Sequence, residues 1–173
     1  MSSPSASGSE HRDVSSAAFL IAAVGAATIA GAWYFQLVVG LVPCELCYAQ
    51  RIPYYVAIPL ALLLGFFARD SRRAGLARLL LLLLAAILAY GAGLAVYHAG
   101  VEWKWWAGPT ACSSAALGGG GGTLLQQMQG LRVVPCDVVQ WTFLGLSLAG
   151  YNALIAGALT LYALVVALRA RTS

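Results

Sequence analysis

The chain has 173 residues, of which 61% are hydrophobic and 9% charged, and it carries four cysteines. Soluble domains hold about 25% charged residues, so this composition excludes an ordinary soluble domain and points to one membrane-embedded unit. The net charge of +4 does not argue for nucleic acid, because the basic residues sit beside apolar runs and form no single patch.

Residues 1–13 are Ser-rich and polar, with Pro4 and Gly8, and read as a short disordered tail. Residues 14–44 contain no charged side chain. A membrane span needs about 20 apolar residues, so a first helix is expected over 16–36. A cleaved signal peptide is the alternative, with Ala30-Gly31-Ala32 imitating a cleavage site. Two features oppose it. Glu10, Arg12 and Asp13 do not make a basic leader, and the apolar run outlasts a signal core of about 7–15 residues.

Next comes Val42-Pro43-Cys44-Glu45-Leu46-Cys47-Tyr48-Ala49-Gln50-Arg51, between two apolar runs. Cys-x-x-Cys closes a small, reactive disulfide, and its thiolate is favoured at a helix N-terminus or beside a cation. A helix starting near Cys47 meets both conditions, with Arg51 one turn on along the same face and its guanidinium leaning back toward the sulfur. The negative charge of Glu45 opposes this. A zinc site of all four cysteines is the competing reading. Structural zinc pairs are usually two short-spaced couples, whereas Cys112 and Cys136 lie 24 residues apart.

The second span is expected over 48–68, with Pro53 tolerated at the helix start and Pro59 bending it deeper in. Arg69, Asp70, Ser71, Arg72, Arg73 and Arg78 follow in a basic turn. The third span is expected over 77–99, with Gly91, Gly93 and Ala95 permitting close helix packing. Residues 102–137 form the longest loop. They hold Trp103, Trp105 and Trp106, suited to a membrane interface, then Cys112, five glycines at 118–122, and Pro135-Cys136-Asp137. The glycines read as a flexible linker, and 124–131 as a turn or two on the bilayer surface. The fourth span is expected over 143–167, before a tail at 169–173.

The expected fold is therefore an all-α membrane protein. A four-transmembrane-helix bundle spans 14–168, with both termini on one side and the two cysteine-bearing loops on the other. Arg12, Arg69, Arg72, Arg73, Arg78, Arg169 and Arg171 lie on the side of the termini, and Arg51, Lys104 and Arg132 opposite. Seven against three makes the termini cytoplasmic by the positive-inside rule. All four cysteines then face outward, where disulfides persist. A Cys112–Cys136 bridge could simply staple the loop. A Cys44–Cys47 bridge closes almost no loop and constrains little chain entropy, which suits exchange. One pair on a mobile loop and one at the membrane surface make a two-step relay, from a soluble donor to an acceptor dissolved in lipid, for which a quinone is the obvious candidate.

Pro43-Cys44-Glu45-Leu46-Cys47-Tyr48-Ala49-Gln50-Arg51 resembles the first outward loop of the disulfide bond formation protein B (DsbB) family. Tyr97-His98-Ala99-Gly100-Val101-Glu102-Trp103, Gly108-Pro109-Thr110-Ala111-Cys112-Ser113 and Pro135-Cys136-Asp137-Val138-Val139-Gln140-Trp141 resemble its later segments. The likeness runs in register from about Trp33 to Asn152. It implies a bacterial inner-membrane enzyme that reoxidises a DsbA-type periplasmic dithiol oxidase and reduces ubiquinone or menaquinone. By position, Cys112 would take the donor's thiolate, Cys136 would pair with Cys44, and Cys47 would be freed beside the quinone. The resemblance gives Arg51 a part in quinone binding. His98 reads either as a hydrogen-bonding neighbour of the quinone head group or as an interfacial residue ending the third helix. The five-glycine run departs from the family pattern at the surface segment of the loop. A vitamin-K-epoxide-reductase-like enzyme is a rival, but its Cys-x-x-Cys would come late in the chain. A non-enzymatic four-span scaffold with stapled loops is another, and predicts inert disulfides.

Overall fold

The computed structural model describes residues 4–68, 74–109, 112 and 134–170, with side chains from Asp13 onward. Its helices are α1 (Pro4–Leu37), α2 (Glu45–Ala49), α3 (Ile52–Phe67), α4 (Ala74–Glu102) and α5 (Leu148–Arg169). A two-residue hairpin, β1 (Thr142–Phe143) with β2 (Leu146–Ser147), precedes α5. Among the described residues four stretches are long and apolar enough to cross a membrane: Asp13–Leu37, Glu45–Phe67, Ala74–Glu102 and Leu148–Arg169. The shortest has 22 residues. At 1.5 Å per residue that is about 33 Å, enough for a hydrocarbon core of about 30 Å. The all-α four-span architecture expected from the sequence is the one found.

Three buried clusters order the bundle from end to end. Val14, Leu64, Ala68, Ala77, Leu81 and Ala167 gather at the end holding both termini. Ile21, Tyr54, Ala57, Leu84, Leu88, Ala156 and Ala163 bring all four long helices together at mid-height. Cys44, Leu46, Val101, Cys112 and Cys136 close the opposite end. Successive helices therefore run antiparallel. Much of the interior is alanine and glycine, because in lipid small residues let helix backbones approach and gain dispersion contacts. Gly65 shows how tight this is, since a Cβ there would lie 2.9 Å from the Phe19 ring. Ser15 also donates to the Gly65 carbonyl at 2.7 Å, tying α1 to α3.

Several boundaries differ from the sequence expectation. The backbone of α1 is helical from Pro4, where the sequence reads as a tail. Proline suits a first helical turn, whose N–H groups lack partners anyway. The second span is broken at Gln50 and Arg51, because Pro53 donates no bond to the helical ladder. The fourth helix starts at Leu148, not Phe143. Leu144 (φ 48°) and Gly145 (φ 80°) turn the hairpin, both left-handed as a type I′ turn requires. The Ser147 hydroxyl then caps α5 by accepting from the Gly150 N–H at 3.1 Å. Of the small residues in α4, Gly91 and Ala95 are buried but Gly93 faces outward, since only the i, i+4 pair shares a helical face. Trp106 is more than an interface anchor. It stacks on Tyr97 with centroids 6.1 Å apart and donates to the Tyr97 carbonyl at 2.9 Å. The basic turn at 69–73, the five-glycine run, the surface segment at 124–131, Arg132 and the tail from 171 lie outside the described residues.

Candidate functional site

The cysteine end of the bundle is built from three junctions. After α1 the chain runs extended to Cys44, which is the N-cap of α2 (φ −78°, ψ 173°). Its sulfur accepts from the Cys47 N–H at 3.3 Å, the position a serine or aspartate oxygen takes in ordinary caps. The helix thus starts at Glu45, two residues before Cys47, and Cys44 holds the capping position. One helical turn brings the sulfurs to 2.8 Å as an unbridged pair. The hydrogen bond to Cys47, reinforced by burial, pushes the Cys44 thiol far above the usual thiol range. Either sulfur can be the donor in this contact. The side chain of Glu45 is exposed, where solvent screens its charge.

Cys112 and Cys136 form a disulfide with Cα atoms 5.3 Å apart. The Cys136 N–H also donates to the Cys112 carbonyl at 2.7 Å. Beside them Lys104, at φ 62°, ends α4. Its ammonium meets both the Asp137 carboxylate (2.7 Å) and the Asp137 carbonyl (2.9 Å). The four cysteines, 65 to 92 residues apart in sequence from one loop to the other, share one packed cluster. The structure bridges Cys112 to Cys136 and leaves Cys44 and Cys47 as thiols.

Arg51 is 8% exposed. Its guanidinium donates to Gln36 Oε1 at 2.7 Å and to the Ala32 carbonyl at 3.5 Å. It lies 5.3 Å from the Trp33 ring centre and 5.2 Å from that of Tyr48, both favourable cation–π distances. The sequence expectation tipped this group toward the Cys47 sulfur. Its hydrogen bonds run to α1, where Gln36 supplies a neutral acceptor, and its charge stays within electrostatic reach of the Cys47 sulfur. Among the described residues no carboxylate is within ion-pair distance of it. Two of its five N–H donors are engaged.

His98 is 3% exposed, on the last turns of α4. Its Nδ1 lies 2.6 Å from Gln50 Nε2. Asn152 Nδ2 donates to Gln50 Oε1 at 2.6 Å, and the Tyr54 hydroxyl donates to Asn152 Oδ1 at 2.8 Å. With Gln50 as donor, Nδ1 is the acceptor and the neutral ring carries its proton on Nε2. That atom faces Cys44 Sγ at 3.6 Å and Glu102 Oε1 at 3.9 Å. Glu102 in turn accepts from the Ser147 hydroxyl. His98 is thus buried beside Cys44 in the last turns of α4.

A cavity of about 610 Å³ joins these groups. Cys44, Cys47, Arg51, His98, Glu102 and Gln36 line one side, and Phe35, Trp141, Val24, Leu148 and Ile155 supply apolar walls. Its volume and its few convergent polar groups are those of a small-molecule site. Gln36, Gln50, Tyr54, Glu102, Ser147 and Asn152 were not singled out from the sequence. The signal available was polarity inside apolar spans, which is costly unless satisfied or functional.

A family model described as "Disulfide bond formation protein DsbB" matches residues 14–166. The chain belongs to the DsbB family. It is 35% identical over 161 residues to the disulfide bond formation protein B of Verminephrobacter eiseniae, covering 88% of this chain and 84% of that protein. The same identity holds over 158 residues with the protein of that name from Marinobacter nauticus, covering 87% and 89%. No solved structure gives a significant match. DsbB membership places the chain among bacterial multi-pass membrane proteins that form disulfide bonds.

Proposed function

We propose that this protein is an inner-membrane thiol:quinone oxidoreductase. It reoxidises a DsbA-type, thioredoxin-like dithiol oxidase of the periplasm and passes the electrons to ubiquinone or menaquinone. One observation carries the reading: a bridged pair, Cys112–Cys136, packs in one cluster with a dithiol, Cys44 and Cys47, and the dithiol lines the Arg51 cavity. The termini are cytoplasmic and the cysteine end periplasmic. The seven-to-three basic bias supports this, as does the placement of all four cysteines at the end away from the termini.

The relay balances in thiol–disulfide exchanges. Start with both pairs oxidised. A donor thiolate attacks Cys112 Sγ, the Cys112–Cys136 bond breaks, and Cys136 leaves as the thiolate. Cys136 attacks Cys44 Sγ, and Cys47 leaves as the thiolate into the cavity. The donor's second thiol resolves the mixed disulfide and frees Cys112. Cys112 then attacks Cys136, which restores that bridge and releases Cys44. The result is the arrangement described here, one bridge and one dithiol. When bound, a quinone supplies an acceptor for two electrons and two protons. The cavity suits its head group, with apolar walls for the ring and tail and unused Arg51 donors for a carbonyl oxygen. The Gln50–Asn152–Tyr54 chain orients His98, whose Nε2–H faces Cys44 and holds a proton beside the dithiol.

The deciding experiment measures quinone reduction by the purified protein supplied with a reduced thioredoxin-like dithiol. Turnover should need all four cysteines and one quinone per donor dithiol. Donor oxidation that proceeds at full rate without quinone refutes the proposal.

A further inference from the structure

We propose that the reduced Cys44–Cys47 dithiol and His98 form a binding site for a single thiophilic divalent cation of the zinc class, and that occupation blocks the relay. Among the described residues these three offer ligand atoms that all lie within 4.8 Å of one another. Thiolate and imidazole are the donors that tetrahedral zinc prefers, at about 2.3 Å for sulfur and about 2.0–2.1 Å for nitrogen. Those bond lengths and a tetrahedral angle put a sulfur and a nitrogen about 3.6 Å apart. Cys44 Sγ and His98 Nε2 are 3.6 Å apart. Two ligating sulfurs stand about 3.8 Å apart on the same geometry, against 2.8 Å here. Opening the pair by about 1 Å is a small rotation of a cysteine side chain.

The Glu102 carboxylate is 3.9 Å from Nε2 and is not one of the three mutually close ligands, so a water completes the tetrahedron. Ligation through Nε2 moves the ring proton to Nδ1, and the Gln50 side chain, 2.6 Å away, then turns its amide over to accept from Nδ1–H, the hydrogen-bonded support that ligating histidines usually have. The site exists in one redox state alone. A Cys44–Cys47 disulfide has no thiolate to give, so the cation binds after the dithiol has formed and before its electrons have left. Cys47, half-buried on the cavity wall, provides the entrance. Bound metal holds both sulfurs and so prevents either from entering exchange.

Binding is independent of the enzymatic reading, whereas inhibition rests on the proposed relay, and two measurements separate them. The first titrates cobalt(II), as a coloured stand-in for zinc, into the purified Cys112→Ser/Cys136→Ser chain kept reduced. One cobalt per chain should bind with a tetrahedral thiolate charge-transfer spectrum. Oxidising the remaining pair should abolish it. His98→Ala should weaken binding at least about 10- to 100-fold, the range found for losing even an outer partner of a ligand. His98→Cys should restore binding with a stronger charge-transfer band, which separates ligation from loss of fold. The second measurement adds zinc to the intact protein turning over quinone, and turnover should stop and recover with chelator. An octahedral or absent cobalt spectrum in the reduced protein overturns the site. Equal affinity in His98→Ala does so as well. A normal spectrum with unaffected turnover keeps the site and overturns the inhibitory role.

Discussion

Replacing Arg51 with alanine removes the one described cation that borders the cavity without a carboxylate partner. In the structure its guanidinium is held in place by Gln36, the Ala32 carbonyl and the rings of Trp33 and Tyr48. Its remaining donors are thus aimed before any ligand arrives, and little ordering cost is left for binding. In the proposed function the loss is one charge-assisted hydrogen bond to a quinone oxygen, about 1.5–3 kcal/mol, which is roughly a 10- to 150-fold rise in the KM for quinone. Arg51→Lys keeps the charge but loses the planar fork and the aromatic stacking, so it should fall between. Gln36→Leu leaves the guanidinium intact but unanchored and should cost less than Arg51→Ala. The assay is steady-state quinone reduction at varied quinone, alongside gel detection of the donor–Cys112 mixed disulfide, whose formation should be unchanged in all three variants. An unchanged quinone KM in Arg51→Ala would refute this reasoning and reduce Arg51 to a cation snorkelling at a helix end.

Reporter fusions after Ser71 and Ser173 should read cytoplasmic and one after Gly120 periplasmic; a periplasmic signal at Ser71 would invert the topology. In Cys136→Ser the mixed disulfide on Cys112 has no internal resolving thiol, so a covalent donor adduct should accumulate on gels. An adduct that survives Cys112→Ser would reverse the order of exchange. Asn152→Leu strands both the Gln50 carbonyl oxygen and the Tyr54 hydroxyl and should cost about 1–3 kcal/mol of stability, read as a lower melting temperature. Adding Tyr54→Phe should cost less than the sum of the two single changes, because both act on one bond chain; strict additivity would mean the chain is not coupled.

The architecture was readable because its causes are local. Uncharged runs of spanning length mark the helices, and the arginines between them mark the ends. Those two facts also sent Cys44, Cys47, Cys112 and Cys136 to one end of the bundle. What the sequence withheld depends on contacts between distant residues. Gln50 and Asn152 are 102 positions apart and joined at 2.6 Å, and neither residue type announces a partner. The anchors of Arg51 escaped notice for a related reason. Helical periodicity pairs it with Cys47, but Pro53 interrupts the ladder and Gln36 of another helix competes for the guanidinium. The late start of α5 turned on Leu144, a residue with no local preference for the left-handed conformation that the hairpin imposes on it.

The bond between the Cys136 N–H and the Cys112 carbonyl, and the grip of Lys104 on Asp137, join the two ends of the long loop without using a sulfur atom. Reductive cleavage of the bridge therefore need not release the loop ends to diffuse apart. In the proposed relay this is a matter of timing. A freed Cys136 thiolate stays packed against Cys44, so its next exchange is a first-order event at high effective concentration. A small free thiol, present in solution at millimolar levels or below, has to compete with a neighbour already in contact. The clamp thus acts as a kinetic guard, directing the electron pair inward along the chain and denying a stray reductant the interval in which to divert it.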